Sequence, residues 1–462
     1  MSIHNLAAVI LAAGKGTRMC SSLPKVLHPL AGRPLCAHVL ELTRQLGCEQ
    51  TVMVVGHQAD AVREHCSDEQ VVFVTQQQQL GTGHAVQCAA GALRDFNGTV
   101  LILCADVPLL RSATIRALLD EHRRSTAVVT VLSAKVPEPH GYGRIVRCDD
   151  GGVERIVEEK DASAEEKQID EINTGIYALE APQALELLAR LDNSNAQQEY
   201  YLTDIIALAR QACQRVSACV LADSSESMGI NDRVQLAAAA AIMRRRINEQ
   251  HMLAGVTIVD PDATYIDADV TIGVDSVIQP GVHLRGGCTI GNHCVVETGA
   301  VIDGGTIGDY SYIKAGSALE QASVGEHCTI GPMAHLRPGT VLCGHNKIGN
   351  YVETKKAHIG VNSQASHLTY IGDAELGRDV NIGCGTITCN YDGINKHKTT
   401  IGNGVFVGSD TQFVAPVTIG SNSLIAAGST ITKDVPADSL AIARTPQTVI
   451  PGWRKKQSGK KS

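Results

Sequence analysis

The apolar run Ala7–Leu11 opens directly into Leu11-Ala-Ala-Gly14-Lys-Gly16-Thr17-Arg18-Met19, and Leu23-Pro24-Lys25 follows. Glycines after a strand let backbone N–H groups approach a phosphate chain, and Lys15, Arg18 and Lys25 supply charge to neutralise it. The segment is neither a Walker A loop nor a full G-x-G-x-x-G, because Met occupies position 19. A G-x-G alone also fits a simple turn. The longer pattern L-x-x-G-x-G-T-x-M-x4-P-K is far more specific.

Such a loop needs a sheet behind it. Ala7–Leu11, Thr51–Val55, Val71–Thr75, Thr99–Cys104 and Ala127–Leu132 are short apolar runs rich in Val and Ile. Helical patterns at Leu35–Leu46 and Ser112–Arg124 lie between them, with Ser112 as a candidate cap. This alternation over residues 1–230 predicts an α/β sheet with helices on both faces. The run from Leu236 to Glu249 has high helix propensity and no Gly or Pro, and predicts a connecting helix within 231–253. Its three arginines, Arg244 to Arg246, read as a solvated helix face in preference to a phosphate site.

Residues 254–462 follow another grammar. Ile-Gly or Val-Gly pairs begin at 272, 290, 307, 324, 330, 348, 359, 371, 382, 401, 407 and 419, and Leu376-Gly377 adds another. Many are separated by multiples of six, as from 272 to 290 and from 401 to 407. A hexapeptide repeat predicts a parallel β-helix, with each aliphatic residue pointing inward and Gly permitting the turn. Between 258 and 435 there is room for roughly ten coils. Register breaks at 290–307 and 382–401. The second break holds the polar stretch Cys389–Lys398, which predicts a loop standing off the solenoid. Polar residues where the repeat expects none are Arg337, Glu353, Lys355, Lys356, Ser366, His367, Tyr370, Asn381, Asn390, Tyr391 and Arg444.

Composition narrows the function classes. The 462 residues carry a net charge of −8, which argues against broad nucleic-acid or anionic-membrane binding. The basic tail, Arg454–Lys456 with Lys460 and Lys461, reads as a solvated end. No apolar run reaches the ~20 residues that span a bilayer, and the start lacks a signal-peptide n-region. The sequon at Asn97 reads as chance. Fifteen Cys without a C-x-x-C predict reduced, mostly buried thiols in a cytoplasmic protein.

The phosphate-loop pattern resembles the sugar-1-phosphate nucleotidyltransferase family. Gln76-x-x-Gln79-Leu-Gly81-Thr82-Gly83, Asp106-Val-Pro-Leu, Gly141-Tyr-Gly143-Arg144, Glu158-x-Lys160-Asp161, Glu171-Ile-Asn173-Thr-Gly175, Glu199-Tyr-Tyr-Leu-Thr-Asp204 and Gly229-Ile-Asn231 carry the same resemblance. With the hexapeptide half, almost the whole chain resembles the bacterial bifunctional N-acetylglucosamine-1-phosphate uridyltransferase/glucosamine-1-phosphate acetyltransferase family. The resemblance implies a Rossmann-like α/β domain, a left-handed β-helix and a homotrimer with acetyltransferase sites between subunits. It also implies the substrates UTP, N-acetylglucosamine-1-phosphate, glucosamine-1-phosphate and acetyl-CoA.

In the first half, the resemblance implies that Asp106 and Asn231 hold Mg²⁺, a hard cation suited to oxygen ligands. Lys25, helped by Arg18, would neutralise the phosphates. Leu11, Ala12, Ala13, Gly14, Cys104 and Ala105 would line the nucleotide cleft. Gln76, Gly81 and Thr82 would read the uracil, and Gly143, Glu158 and Asn173 the sugar. Ala105 stands where the family usually has Gly. In the second half, His367 would be the general base, with Glu353 orienting or activating it. Arg337 and Lys355 would bind the sugar phosphate, and Tyr370 and Asn381 the sugar. Cys384, Asn390, Tyr391, Ser409, Ala427 and Arg444 would line the acetyl-CoA site. Cys384 stands where Ala is common, which predicts thiol sensitivity of acetyl transfer.

Bland readings stand beside these. Asp106 is also a strand-end turn residue, Asn231 a helix cap, Glu158 an exposed loop acid, and Lys355-Lys356 a solvated face. Three whole-chain alternatives remain: a nucleotidyltransferase with a structural or regulatory β-helix, the same architecture with another sugar or acyl donor, and a nucleotide-sensing scaffold without activity.

Overall fold

The computed structural model describes residues 5–66 and 70–458. Lys460, Lys461 and the residues before Asn5 lie outside that span. Tertiary contacts divide the chain into two units, Met1–Met243 and Arg244–Ser462.

The first unit contains β1 (Leu6–Ala12), α1 (Leu35–Leu46), β2 (Gln50–Val55), α2 (Ala59–His65), β3 (Val71–Thr75), α3 (Thr82–Ala89), β4 (Thr99–Cys104) and α4 (Ser112–Ser125). It continues with β5 (Val129–Lys135), β6 (Arg144–Arg147), β7 (Val153–Val157), β8 (Glu171–Glu180), α5 (Gln183–Leu188), α6 (Asp204–Gln211) and β9 (Val216–Val220). The sheet order is β9-β5-β8-β4-β1-β2-β3, with β6 joining β8 to β7. Within the main order, β8 runs antiparallel to β4 and β5, and the other pairings are parallel.

Strand alternation sorts β1 between two cores. Leu6, Ala8, Ile10 and Ala12 face α1 and α4, while Ala7 and Val9 face α3, α5 and α6. Truncating the fully buried Ile10 to Ala would cost about 2–5 kcal/mol. From β1 the chain builds β2 and β3 on one side, then crosses to β4 on the other. That reversal opens a crevice beyond the carboxyl ends of β1 and β4.

Two local expectations are corrected. Ser112 is the first residue of α4, whose N-terminus has no side-chain cap; the Glu226 carboxylate instead accepts from the Arg111 N–H at 2.9 Å. The strand predicted from Ala127 begins at Val129, because the Ala127 N–H bonds back to His122 O as α4 closes.

The connecting helix is α7 (Arg233–Leu253). Its start is a reciprocal cap: Asp232 Oδ1 accepts from the Gln235 N–H at 2.8 Å, and Gln235 Oε1 accepts from the Asn231 N–H at 2.7 Å. Asp232, not Asn231, is therefore the capping side chain. Within the first unit, Leu236, Ala239 and Met243 pack with Leu30, Leu35, Leu109 and Ile230. Within the second, the Arg244 guanidinium lies 5.0 Å from the Tyr265 ring centroid, so this arginine is partly covered and not on a solvated face. The buried Asn248 amide donates to Pro261 O and Thr264 O at 2.7 and 3.0 Å.

The second unit is a parallel solenoid of mostly short strands, from Thr257–Ile258 to Leu440–Ala441. One inward column reads Ile278, Val296, Ile313, Ile330, Ile348, Ala365, Ile382, Val407 and Ile425, each paired with the next coil. At a corner, buried Ser276, Ser311 and Ser363 donate to Gly291, Gly325 and Gly377 carbonyls at 2.7–3.1 Å, so turn backbone is satisfied inside the coil. Contacts between successive coils span 18 residues in some places and 17 in others. The 17-residue coils are more numerous than the Gly pairs revealed, and long strands such as Lys347–Ile359 and Gln364–Leu376 arise there. The interval widens to 25 where Cys389–Lys398 leaves the solenoid as the predicted loop.

Candidate active sites

In the first unit, three residues distant in sequence converge beyond the carboxyl ends of β1 and β4. The Lys25 ammonium donates to the Asp106 carboxylate and, at 3.1 Å, to Asn231 Oδ1. Backbone bonds fix the arrangement: Ala105 N–H to Leu11 O at 3.0 Å and Ile230 N–H to Asp106 O at 2.9 Å. Gly16 has φ +60°, and a Cβ there would stand 2.6 Å from Lys25 Cβ. The glycine therefore lets the lysine stem lie against the loop.

The adjoining cleft, about 290 Å³, is lined by Leu11, Ala12, Ala13, Gly14, Lys25, Val26, Gln76, Gln79, Gly81, Thr82, Ala85, Cys104, Asp106 and Glu199. Buried Gln76 is held by a bond from Nε2 to Gly81 O at 3.1 Å and a contact with His84 Nδ1 at 3.0 Å. Gly81, at φ +110°, would put a Cβ 2.5 Å from Tyr200 O. Thr82 Oγ1 accepts from the Leu202 N–H at 3.3 Å, fastening the start of α3. Ala105 is buried behind the cleft, and its methyl needs no space there. Arg18 is exposed on the turn Thr17–Met19, beside the residues that line the cleft and not among them.

The sugar-directed residues form a second group. The Asn173 N–H donates to Gly143 O at 2.8 Å, and a Cβ at Gly143 would come 3.4 Å from Glu158 Oε2. Tyr177 OH donates to Asn173 Oδ1 at 3.0 Å, and Thr203 Oγ1 donates to Glu158 Oε1 at 3.2 Å. Burial raises the Glu158 pKa against the Thr203 bond, and Asp204, Asp161 and Glu199 raise it further. Glu158 is thus partly buried, not an exposed loop acid. Burial, with the Asp106 charge adding, pushes the Cys104 thiol up to about 12 and keeps it a neutral wall of the cleft.

The donor set bears on the expected cation. A carboxylate and an amide oxygen already share one positive charge, the Lys25 ammonium. Hard oxygen donors of this kind, completed by water and phosphate oxygens, fit Mg²⁺. Among the described residues no group of three or more His, Cys, Asp or Glu forms a metal cluster, so a cation here would lean on its substrate.

In the second unit, β10 (Lys347–Ile359) and β11 (Gln364–Leu376) lie parallel, with Asn350 opposite His367 and Glu353 opposite Tyr370. His367 is exposed, its Nδ1 3.2 Å from Asn350 Oδ1. An acceptor there places the proton on Nδ1 and leaves the Nε2 lone pair free as a base. Glu353 accepts from Arg337 Nη1 at 2.7 Å, and strand register puts Asn350 opposite His367. Lys355 meets Lys396, which lowers its pKa, with Arg337 and Lys356 adding to the effect. Like charges held together are a ready anion site. Sequence reasoning missed Asn350 and Lys396; the polarity of the Cys389–Lys398 stretch was the only signal for the latter.

That loop is internally braced. Asp392 accepts from the Ile394 and Asn395 N–H groups and from His397 Nε2, all at 2.7–2.8 Å. Asn390 is buried and donates to Asp373 Oδ2 at 2.5 Å, while Tyr391 is exposed. Asn381 Oδ1 accepts from Gln364 Nε2 at 3.0 Å, on the coil that follows β11. The remaining coenzyme candidates continue the corner of His367. Gly385 N–H bonds to Leu368 O, Asp410 N–H to Cys384 O and Gly428 N–H to Ser409 O, at 2.7–2.8 Å. His367, Cys384, Ser409 and Ala427 therefore occupy equivalent positions on successive coils, with Arg444 Nη1 donating to Ala427 O at 2.5 Å. Cys384 is exposed.

Comparison with known proteins agrees with both units. Residues 8–163 match the MobA-like NTP transferase domain family, 261–364 the GMPPB C-terminal domain, and 398–433 the bacterial transferase hexapeptide repeats. Proteins named "Bifunctional protein GlmU" align nearly end to end. The one from Geobacter sulfurreducens is 60% identical over 98% of this chain and 99% of its own. The one from Syntrophotalea carbinolica is 60% identical over 98% of each chain. The one from Shouchella clausii is 49% identical over 97% of this chain and 98% of its own. With identity of this order over both the nucleotide cleft and the His367 column, the chain belongs to the bifunctional GlmU family, the bacterial N-acetylglucosamine-1-phosphate uridyltransferase/glucosamine-1-phosphate acetyltransferases that its motifs resemble.

Proposed function

We propose that the Lys25–Asp106–Asn231 cluster carries the uridylyl transfer and the His367 column the acetyl transfer of this bifunctional enzyme. One observation supports that division: the two clusters lie in separate units, share no residue and suit different chemistry.

Acetyl transfer comes first. Arg337, Lys355 and Lys396 bind the phosphate of glucosamine-1-phosphate, and Tyr370 and Asn381 face its sugar. His367 Nε2 takes a proton from the amine, whose nitrogen attacks the acetyl carbonyl as the C–S bond to the coenzyme breaks. Cys384, Asn390, Tyr391, Ser409, Ala427 and Arg444 hold acetyl-CoA. In the second step a phosphate oxygen of N-acetylglucosamine-1-phosphate attacks the α-phosphorus of UTP, and pyrophosphate leaves. Gln76, Gly81 and Thr82 orient the base, Gly143, Glu158 and Asn173 the sugar, and Lys25 offsets the phosphate charge. Asp106 and Asn231 would hold Mg²⁺, which would supply further charge neutralisation on the phosphates. The enzyme is a cytoplasmic homotrimer on this reading. Its fifteen free thiols support a reducing compartment, and no helix among the described residues is long and apolar enough to cross a membrane.

Two assays on two variants test the assignment. His367→Ala should abolish sugar-dependent thiol release from acetyl-CoA and leave formation of UDP-N-acetylglucosamine from UTP nearly intact. Asp106→Ala should do the reverse. Loss of both activities in either folded variant would overturn the two-site division.

A further inference from the structure

Cys36 is the second residue of α1, and Cys66 follows the last turn of α2. Their sulfurs lie 3.1 Å apart in a hydrogen bond across 30 residues of sequence. Cys36 is fully buried and Cys66 is 5% exposed, in the same core as Val26 and Leu27. Both helices are tied to the turn that carries Lys25. Leu35 N–H bonds to His28 O at 3.1 Å, and His28 N–H to Lys25 O at 3.2 Å. From the α2 side, Gln58 Nε2 donates to Ser22 O at 3.2 Å.

We infer that Cys36 and Cys66 are an oxidisable dithiol whose closure to a disulfide slows uridylyl transfer by displacing the Lys25 turn; this rests on the assignment of Lys25 to that reaction. A disulfide needs its sulfurs about 2.05 Å apart, so closure brings them roughly 1 Å closer, and in a close-packed core part of that movement passes to the ends of α1 and α2. Misplacement on that scale costs on the order of 10²-fold in rate. The chemistry balances with a diazene oxidant such as diamide. The Cys66 thiolate adds to the N=N bond, the Cys36 sulfur attacks the resulting S–N adduct, and the S–S bond forms. The two protons and two electrons lost by the thiols leave on the oxidant as a hydrazine. The hydrogen bond from Cys36 lowers the Cys66 pKa, which favours the more accessible sulfur as the attacking thiolate.

The full-length enzyme is treated with diamide, its remaining thiols are blocked, and its peptides are mapped. A peptide linked through Cys36 and Cys66 is expected, with uridylyl transfer reduced tenfold or more and restored by dithiothreitol. Cys66→Ser, or Cys36→Ala if the first variant fails to fold, should yield no linked peptide and keep its activity under diamide. The inference is overturned by a linked peptide without loss of rate, by equal loss in the variants, or by no linked peptide once exposed Cys20 and Cys213 have reacted. Lys25→Ala separates the two possible failures. Activity retained there overturns the Lys25 assignment, whereas an inactive Lys25→Ala beside a diamide-insensitive native enzyme overturns only the dithiol.

Discussion

The contact between Asn350 and His367 would set the tautomer of the base proposed for acetyl transfer, and it is open to a direct test. Asn350→Ala should lower kcat for acetyl transfer about tenfold, roughly the value of one oriented hydrogen bond. Asn350→Asp places an anion beside the imidazole, raises its pKa and should move the acidic limb of the pH–rate profile upward. An unmoved limb would contradict the pairing. Asp204 offers a stability test. Burial, with Asp192 and Asp161 adding, raises its carboxyl to about 6 from an ordinary 3.8. The folded state therefore holds this proton more tightly, so the group's contribution is full below 3.8 and lost as pH rises through about 6. Asp204→Asn should raise stability at pH 7.5 by about 1–2 kcal/mol, after allowance for partial exposure, and give no gain near pH 4. Thermal melts at the two pH values check this. The convergence of Lys25, Asp106 and Asn231 was legible in the sequence, and His367 as a candidate, because each sits in a motif of unusual spacing. Asn350, Lys396 and Tyr177 were not, because their roles come from strand register and loop return.

The element that joins sequence to chemistry in the second unit is the loop that interrupts the repeat between Cys389 and Thr399. Its polarity marked it as a departure from the solenoid, but its internal turn could not be read from composition. Asp392 holds that turn by accepting three hydrogen bonds, and these lower its pKa to about 2 from 3.8. The stabilisation is present above 3.8 and lost as pH falls through about 2, so the loop should keep its form across the working range. Asp392→Ala removes the turn while leaving β10 and β11 paired. We expect a higher KM for glucosamine-1-phosphate and acetyl-CoA, by roughly tenfold or more, because Lys396 and Tyr391 lose their fixed positions. Uridylyl transfer should be unchanged in the same preparation. The first unit makes a complementary point. Strands β1 to β5 were legible as short apolar runs rich in Val and Ile, and α1 and α4 from their helical patterns. Neither Ser112, the candidate cap of α4, nor Asn231, whose bland reading was a cap of α7, caps its helix, because Glu226 and the Asp232–Gln235 pair do that work.

At the scale of the molecule, the second unit exposes more apolar surface around its site than a solitary solenoid needs. Tyr351 is 63% exposed and Leu368, next to His367, is 60% exposed. On successive coils Phe406, Leu424 and Leu440 form an outward apolar column, each paired with the next. Ordered apolar columns on a repeat surface are what a second copy of the chain would cover. The period of six revealed the inward column because its aliphatics recur regularly. The outward one was not legible, since single apolar residues between polar ones look like ordinary surface. If the homotrimer completes the acetyl-transfer site, Leu368→Glu combined with Phe406→Glu should dissociate it, because charges placed in an apolar contact lose hydration without gaining partners. Sedimentation should then report a species near the chain mass of 48.9 kDa instead of about three times that mass. Acetyl transfer should fall with the trimer, while uridylyl transfer, whose cleft is lined entirely by the first unit, should persist. A monomer that still acetylates glucosamine-1-phosphate at the native rate would show that one chain holds the complete site.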